Sequence, residues 1–185
     1  MGGIDINSLI IIGISALWVM LPAYLPNPVA AALGGGKPID GGRCWRDGRR
    51  IFGDGKTVRG LIAGIAGGVA IGLLQILVHS HTEIVWLPEH TLVSITLLAV
   101  GALLGDLAKS FLKRRRGVER GEKWPVADQF DLVIGAFILL LIFDPGWLFS
   151  AITIPIAIAI LILTPVLHRG TNIIGYILGI KDVPW

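Results

Sequence analysis

Charge is what this chain has least of. Asp, Glu, Lys and Arg make up 16% of its 185 residues, against about 25% in an ordinary soluble domain. None of them lies between Asp5 and Lys37, between Arg59 and Glu83, or between Asp144 and Arg169. A soluble globular fold is thereby excluded: with 54% hydrophobic residues and a mean hydropathy of +0.75, the chain needs a bilayer. Cysteine is scarcer still. Cys44 stands alone, which rules out an intrachain disulfide and any zinc or redox thiol pattern. The first apolar run, Ser8 to Tyr24, has no basic residue ahead of it and many after it, the reverse of a cleavable signal peptide, and reads as a retained span. Repeats, low-complexity tracts and a second domain are also missing, so residues 1–185 are expected to form one domain.

What is present is a set of long apolar runs. Measured against the roughly 20 residues that cross a hydrocarbon core, they predict an all-α integral membrane protein with five transmembrane helices at about 8–26, 59–79, 91–111, 125–143 and 147–167. The fourth is short, with 12 uncharged residues between Asp131 and Asp144. It must therefore start near Pro125, a residue suited to a first helical turn, and so includes Asp128 and Asp131 on one face. Pro155 and Pro165 are expected to bend and then end the fifth helix. With the amino terminus outside, all 16 basic residues fall on the inner side: seven from Lys37 to Arg59, seven from Lys109 to Lys123, and Arg169 and Lys181 in the tail. The positive-inside rule then places the carboxyl terminus in the cytoplasm, and the cell membrane is the expected location. Gly60, Gly64, Gly68 and Gly72 form a stripe on the second helix, and Gly101 and Gly105 repeat the spacing on the third. This is the small-residue pattern of close helix contact, within the chain or in a homodimer.

Two loops carry the chemistry. The first, Gly34 to Gly60, holds nine glycines with Arg, Lys and Asp interleaved, a supply of backbone amides and cations suited to phosphate. Its Gly55-Lys56-Thr57 is not a P-loop, because Arg50 stands where the leading glycine belongs and no strand precedes it. Nor do Asp40-Gly41 or Asp47-Gly48 continue as the Asp-Gly motif of enzymes using a CDP-alcohol donor. His79, His81 and His90 could be imagined as metal ligands, but with few carboxylates nearby they are expected to lie in a solvated outer loop.

The second is "GDLAKSFLKRRRGVERGEKWPVADQFDL", residues 105–132. Asp106, Lys109, Ser110 and Lys113 stand at i, i+3, i+4 and i+7, one stripe of the third helix. An ionised carboxylate at membrane depth costs roughly 2.5–3.5 kcal/mol on insertion scales. Asp106, Asp128 and Asp131 therefore need compensating cations, and hard divalent ions take such oxygen ligands. Mutual repulsion of the three carboxylates would make a metal-free Asp→Asn variant more stable than the parent.

The same residues resemble the signature of the CTP:phosphatidate cytidylyltransferases (CDP-diacylglycerol synthases): Gly105-Asp106-Leu107, Ser110 and Lys113-Arg114, followed by Asp128 and Asp131, with Lys56-Thr57-Val58-Arg59-Gly60 matching the family's Lys-Thr-x-x-Gly before a membrane helix. Ala127-Asp128-Gln129 replaces the bacterial Leu-Asp-Arg, and Glu122-Lys123-Trp124-Pro125 replaces its Pro-Gly-His-Gly-Gly. Together with Leu33 to Thr57 and the small size, these departures resemble the archaeal branch, the CDP-archaeol synthases. The likeness runs from Pro22 to about Gly135.

That resemblance implies a nucleotidyltransferase that joins CTP to a prenyl-ether lipid phosphate, unsaturated archaetidic acid, with release of pyrophosphate. It implies Mg²⁺, with a second cation allowed, on Asp106, Asp128 and Asp131. Asp106, Asp128, Asp131, Lys56 and Lys113 are the implied catalytic group. Nucleotide contacts fall to Lys37, Pro38, Asp40, Asp54, Gly55, Lys56, Thr57 and Arg59, and lipid-phosphate contacts to Lys109, Ser110, Lys113 and Arg114. The cavity would open on the cytoplasmic side, with membrane lipids and no nucleic acid as partners. Phosphatidate is the alternative acceptor. A small transporter would also carry intramembrane carboxylates, but the second span beyond Arg59 at its edge, and the fifth throughout, hold no charge from which to build a path.

Overall fold

A computed structural model describes residues 5–82, 84–118, 122, 124, 127–180 and 183. Within these residues seven helices follow one another: α1 (Ile6–Tyr24), α2 (Pro26–Leu33), α3 (Val58–His81), α4 (Leu92–Arg115), α5 (Ala127–Phe143), α6 (Pro145–Ala151) and α7 (Ile154–Ile177). Among the described residues β-pairing is confined to two isolated bridges, Pro38 to Thr57 and Cys44 to Arg50. Short polar side chains start most of the helices. Asp5 accepts from the Ser8 amide (2.8 Å) at α1, Thr57 from the Gly60 amide (3.1 Å) at α3, and Thr91 and Ser94 form a reciprocal capping box at α4.

Proline decides where the apolar runs break. Pro26, at the first turn of α2, stops the first run at Tyr24 and restarts it as a second helix, so the single helix expected over 8–26 is a broken pair ending at Leu33. The run expected as one helix over 147–167 is likewise two. Pro145 opens α6, and Pro155 falls in the first turn of α7, where it starts the helix instead of bending it. Pro165 does not end α7, which continues to Ile177: one lost backbone bond is tolerated by a 24-residue helix buried along one side. The start expected at Pro125 lies outside the described residues; α5 begins at Ala127.

Among the described residues four helical segments are long and apolar enough to cross a membrane: Ile6–Leu33, α3, α4 and α7. At 17 residues, with Asp128 and Asp131 in its first two turns, α5 is shorter. The core joins Val19, Met20 and Ala23 of α1 to Leu98 and Ala102 of α4, Leu132, Ala136 and Leu140 of α5, and Ile156 and Ile160 of α7. Outward-facing Ile62, Leu77, Ile134, Ile142 and Ile162 are more than half exposed, the inverse of a soluble surface and the pattern of a lipid-facing one.

Glycine lets the helices meet. A Cβ on Gly68 would lie 2.6 Å from the Pro22 carbonyl oxygen and 2.7 Å from Ala99 Cβ, and one on Gly72 would lie 2.5 Å from Ile95 Cγ2. The α3 stripe is therefore filled by α1, α2 and α4 of the same chain. Gly101, Gly105 and Gly135 do the same for α4 and α5, where a Gly101 Cβ would stand 2.6 Å from Ala136 Cα. The glycine faces offered as a homodimer surface are thus consumed inside one chain.

Candidate active site

The close approach of α4 to α5 brings the end of one helix beside the start of the other. Asp106 is on the inward face of α4 and Asp131 on that of α5; both are buried. Asp128, one turn before Asp131, is half-buried and accepts at Oδ2 from the Trp124 amide (2.6 Å). Three lysines enter among these carboxylates. Lys109 Nζ lies 3.1 Å from Asp106 Oδ1, 3.6 Å from Asp128 Oδ1 and 2.7 Å from Asp131 Oδ2. Lys113 Nζ lies 2.8 Å from Asp128 Oδ1 and donates to the Glu122 carbonyl oxygen (2.8 Å). Lys56, from the first loop, pairs with Asp106 Oδ2.

Among the described residues three carboxylates and three ammonium groups make a balanced cluster, held where otherwise apolar helices end. The repulsion expected between bare aspartates is therefore offset: each already faces a cation, and the gain in stability expected of an Asp→Asn variant gives way to the cost of stranding a lysine.

Whether these residues fit a divalent ion can be read from the same distances. Among the described residues no three His, Cys, Asp or Glu side chains are grouped closely enough to hold a metal as they stand. The point where the three aspartates converge is taken by Lys109 Nζ, an ammonium serving as a stand-in cation. Asp131 Oδ2 is buried and receives no well-angled hydrogen bond even with that nitrogen at 2.7 Å. The donors are hard oxygens of the kind Mg²⁺ takes, so the set fits the ion once the ammonium withdraws.

The first loop is built around Asp40. Its buried carboxylate accepts from Arg50 Nη2 (2.6 Å) and Nε (3.3 Å) and from the amides of Gly42 (3.1 Å), Phe52 (3.0 Å) and Gly53 (2.9 Å). Burial alone would favour the protonated acid. The Arg50 and amide bonds outweigh it and hold the Asp40 carboxyl well below the usual carboxylate range. Asp54 pairs with Arg50 Nη1 (2.6 Å). The folded loop then docks on the end of α4: Arg115 Nη1 bonds Asp47 (2.6 Å) and its Nη2 the Arg50 carbonyl oxygen (2.6 Å), while Trp45 packs edge-on against Phe111 with centroids 5.4 Å apart. These contacts carry Lys56 to Asp106.

The structure thus gathers Lys56, Asp106, Lys109, Lys113, Asp128 and Asp131 in one place and leaves the other expected residues around it. Ser110 Oγ donates to the Asp106 carbonyl oxygen (2.8 Å) within its own helix. Arg114 offers its carbonyl oxygen to Arg49 Nη1 (3.3 Å). Thr57 caps α3, Pro38 bridges to it, and Gly55 lies in the turn before Lys56. Lys37 and Arg59 line an open groove of about 450 Å³ with Gly35, Val58, Ile62 and Ala63, and Arg59 also donates to the Leu33 (2.8 Å) and Gly34 carbonyl oxygens. The role of Arg50, Asp47 and Arg115 in assembling the loop was not expected from the sequence; alternating opposite charges in a glycine-rich stretch were the available signal.

Comparison with known proteins agrees over nearly the whole chain. The sequence model of a family described as "CarS-like: CDP-archaeol synthase" matches residues 7–185. The CDP-archaeol synthase of Methanosphaerula palustris is 62% identical over 166 residues, 90% of this chain and 100% of that protein. The one from Methanosarcina barkeri is 49% identical over 175 residues, again 90% and 100%. A solved structure described as "Structural insight into an intramembrane enzyme for archaeal membrane lipids biosynthesis" superposes with a TM-score of 0.69 at 35% identity, over 91% of this chain and 95% of that one.

Proposed function

The chain belongs to the CDP-archaeol synthase family of membrane-embedded cytidylyltransferases, and on that premise we propose that it transfers the cytidylyl group of CTP to unsaturated archaetidic acid (2,3-bis-O-geranylgeranylglycerol 1-phosphate). An oxygen of the lipid phosphate attacks the α-phosphorus of CTP. The bond from that phosphorus to the bridging oxygen breaks, and pyrophosphate leaves. The observation that carries this reading is the balanced Asp–Lys cluster at the junction of α4, α5 and the glycine-rich loop.

The attacking phosphate is already an anion, so no strong general base is required. What the reaction needs is two anions held in line with their charge neutralised. Lys56 is placed to exchange Asp106 for a CTP phosphate, and the neighbouring backbone of Gly55 and Thr57 to lie along the triphosphate. Lys37 and Arg59 supply positive charge at the groove beside it. Lys113 and Lys109, on the stripe leading out of α4, hold the lipid phosphate at the membrane boundary. Mg²⁺ on Asp106, Asp128 and Asp131 would supply neutralisation of charge on the transferring and leaving phosphates.

In this reading α5 is the fifth span, shortened because its first two turns lie in the site instead of in lipid. The amino terminus is outside the cell membrane, and the site and carboxyl terminus face the cytoplasm, where CTP is found. The test is pyrophosphate release by the purified protein. It should require CTP, a divalent ion and the prenyl-ether lipid phosphate together. Release without lipid phosphate, or none with all three, would reject the assignment.

A further inference from the structure

We propose that Lys109 is a resident counter-ion: its ammonium occupies the position that a divalent cation takes among Asp106, Asp128 and Asp131, and metal binding drives it out. This rests on the metal reading of the same site above. One nitrogen lies within 2.7–3.6 Å of an oxygen from each of the three carboxylates. Metal–oxygen bonds to Mg²⁺ are shorter, about 2.0–2.1 Å, so the carboxylates must close on a point that the ammonium now fills. Metal and ammonium are mutually exclusive there.

Lys109 is the member of the trio that has to move. Lys56 contacts only Asp106 among the three aspartates, and Lys113 only Asp128, each with its nitrogen anchored to one side of the cluster. Lys109 alone touches all three. Its four-carbon stem can turn the ammonium along the α4 face toward Lys113, which an arginine's planar fork does less readily.

Charge sets the consequence. With three aspartates matched by three lysines, a divalent ion arriving alone adds two uncompensated positive charges to a site of low polarity. Arriving with a triphosphate, it brings its own compensating anion, and the displaced ammonium turns toward Lys113 and the lipid phosphate. The enzyme therefore binds free metal weakly and metal with nucleotide strongly, and Lys109 passes from carboxylate to phosphate as the substrate loads.

The experiment is a Mn²⁺ titration of the nucleotide-free full-length protein in detergent, read by loss of the free-ion electron paramagnetic resonance signal. Lys109→Gln removes the competitor, so the apparent Kd should fall at least about tenfold, since the site is no longer blocked for most of the time. Lys109→Arg, which keeps the charge, should not tighten binding. In the unaltered protein, acylation of Lys109 by a small amine-reactive acyl donor such as acetic anhydride, followed by mass spectrometry, should rise as Mn²⁺ is added. If Asp131→Asn abolishes Mn²⁺ binding while Lys109→Gln leaves its affinity unchanged or weaker, the metal site stands and the exchange is wrong. Unchanged Lys109 reactivity at saturating Mn²⁺ overturns it in the same way. If no variant binds Mn²⁺ with or without CTP, the metal reading fails and the inference falls with it.

Discussion

At the scale of single residues, the protein keeps charge in apolar surroundings by pairing it, and the partners decide what substitution does. Asp131→Asn leaves Lys109 with one fewer carboxylate in a nearly dry site. Breaking a buried pair costs about 3–5 kcal/mol, so the variant should melt earlier in metal-free detergent and also lose cytidylyl transfer by at least about 100-fold. A variant as stable and as active as the parent would show that Asp131 is a dispensable polar contact. His90 is a second case, at the opposite end of the helices. Expected in a solvated loop, it is instead buried, because it stacks on Trp147 with ring centroids 5.5 Å apart. Burial, helped by His79 and opposed by a bond with the Trp18 backbone, lowers its pKa to about 4. An imidazole that titrates near 6.5 when unfolded is thus held neutral by the fold. Its stabilising contribution is complete above about pH 6.5, is lost as the pH falls toward 4, and is worth at most about 3 kcal/mol. Melting temperature should drop between pH 7.5 and pH 5, and His90→Gln should flatten that slope. An unchanged slope would assign the acid sensitivity elsewhere.

At the scale of elements, two junctions position the site. One is the α4–α5 crossing, where Gly105 faces the Asp131 carbonyl oxygen and Gly135 so closely that a methyl group has no room. Gly105→Ala must push the helices apart, at a cost of about 1–3 kcal/mol, and carry Asp131 away from Asp106. Activity should fall with stability, whereas Gly13→Ala, which meets nothing within 4 Å, should change neither. The other junction is the glycine-rich loop. The depressed pKa of Asp40 means that its bonds to Arg50 and three amides are fully formed above the usual carboxylate range, near pH 4, and are lost only as the pH falls below it. Asp40→Asn at pH 7 removes the charge that gathers the loop. It should raise the CTP KM about tenfold through Lys56 and expose the Arg43 to Arg50 segment to trypsin. A loop that stays protease-resistant in this variant would show that docking on Arg115 suffices to order it.

At the scale of the whole molecule, orientation has a built-in probe, because the lone Cys44 is exposed in the first loop. An impermeant thiol reagent should modify it only after cells are opened; labelling of intact cells would reverse the topology and put the site on the wrong side for CTP. The membrane class, the helical content and the carboxylate–cation chemistry were legible in the sequence alone. Hydropathy is a property of composition and run length, and an aspartate beside a 16-residue apolar run needs a cation in any fold. The family signature from Lys56 to Asp131 was legible too, because it depends on residue types at fixed spacings. Boundaries set by proline were misread: whether Pro155 bends a helix or starts one depends on whether Thr153 before it is already helical, which neighbouring elements decide. Which cation meets which carboxylate was equally hidden. Lys109 and Asp131 are 22 residues apart in the chain, and only the glycine-lined contact of α4 with α5 brings the ammonium within 2.7 Å. The partners of Asp40 were hidden as well: a carboxylate's surroundings are fixed by the donors that gather round it, here Arg50 and the amides of Gly42, Phe52 and Gly53, and those donors come from folding.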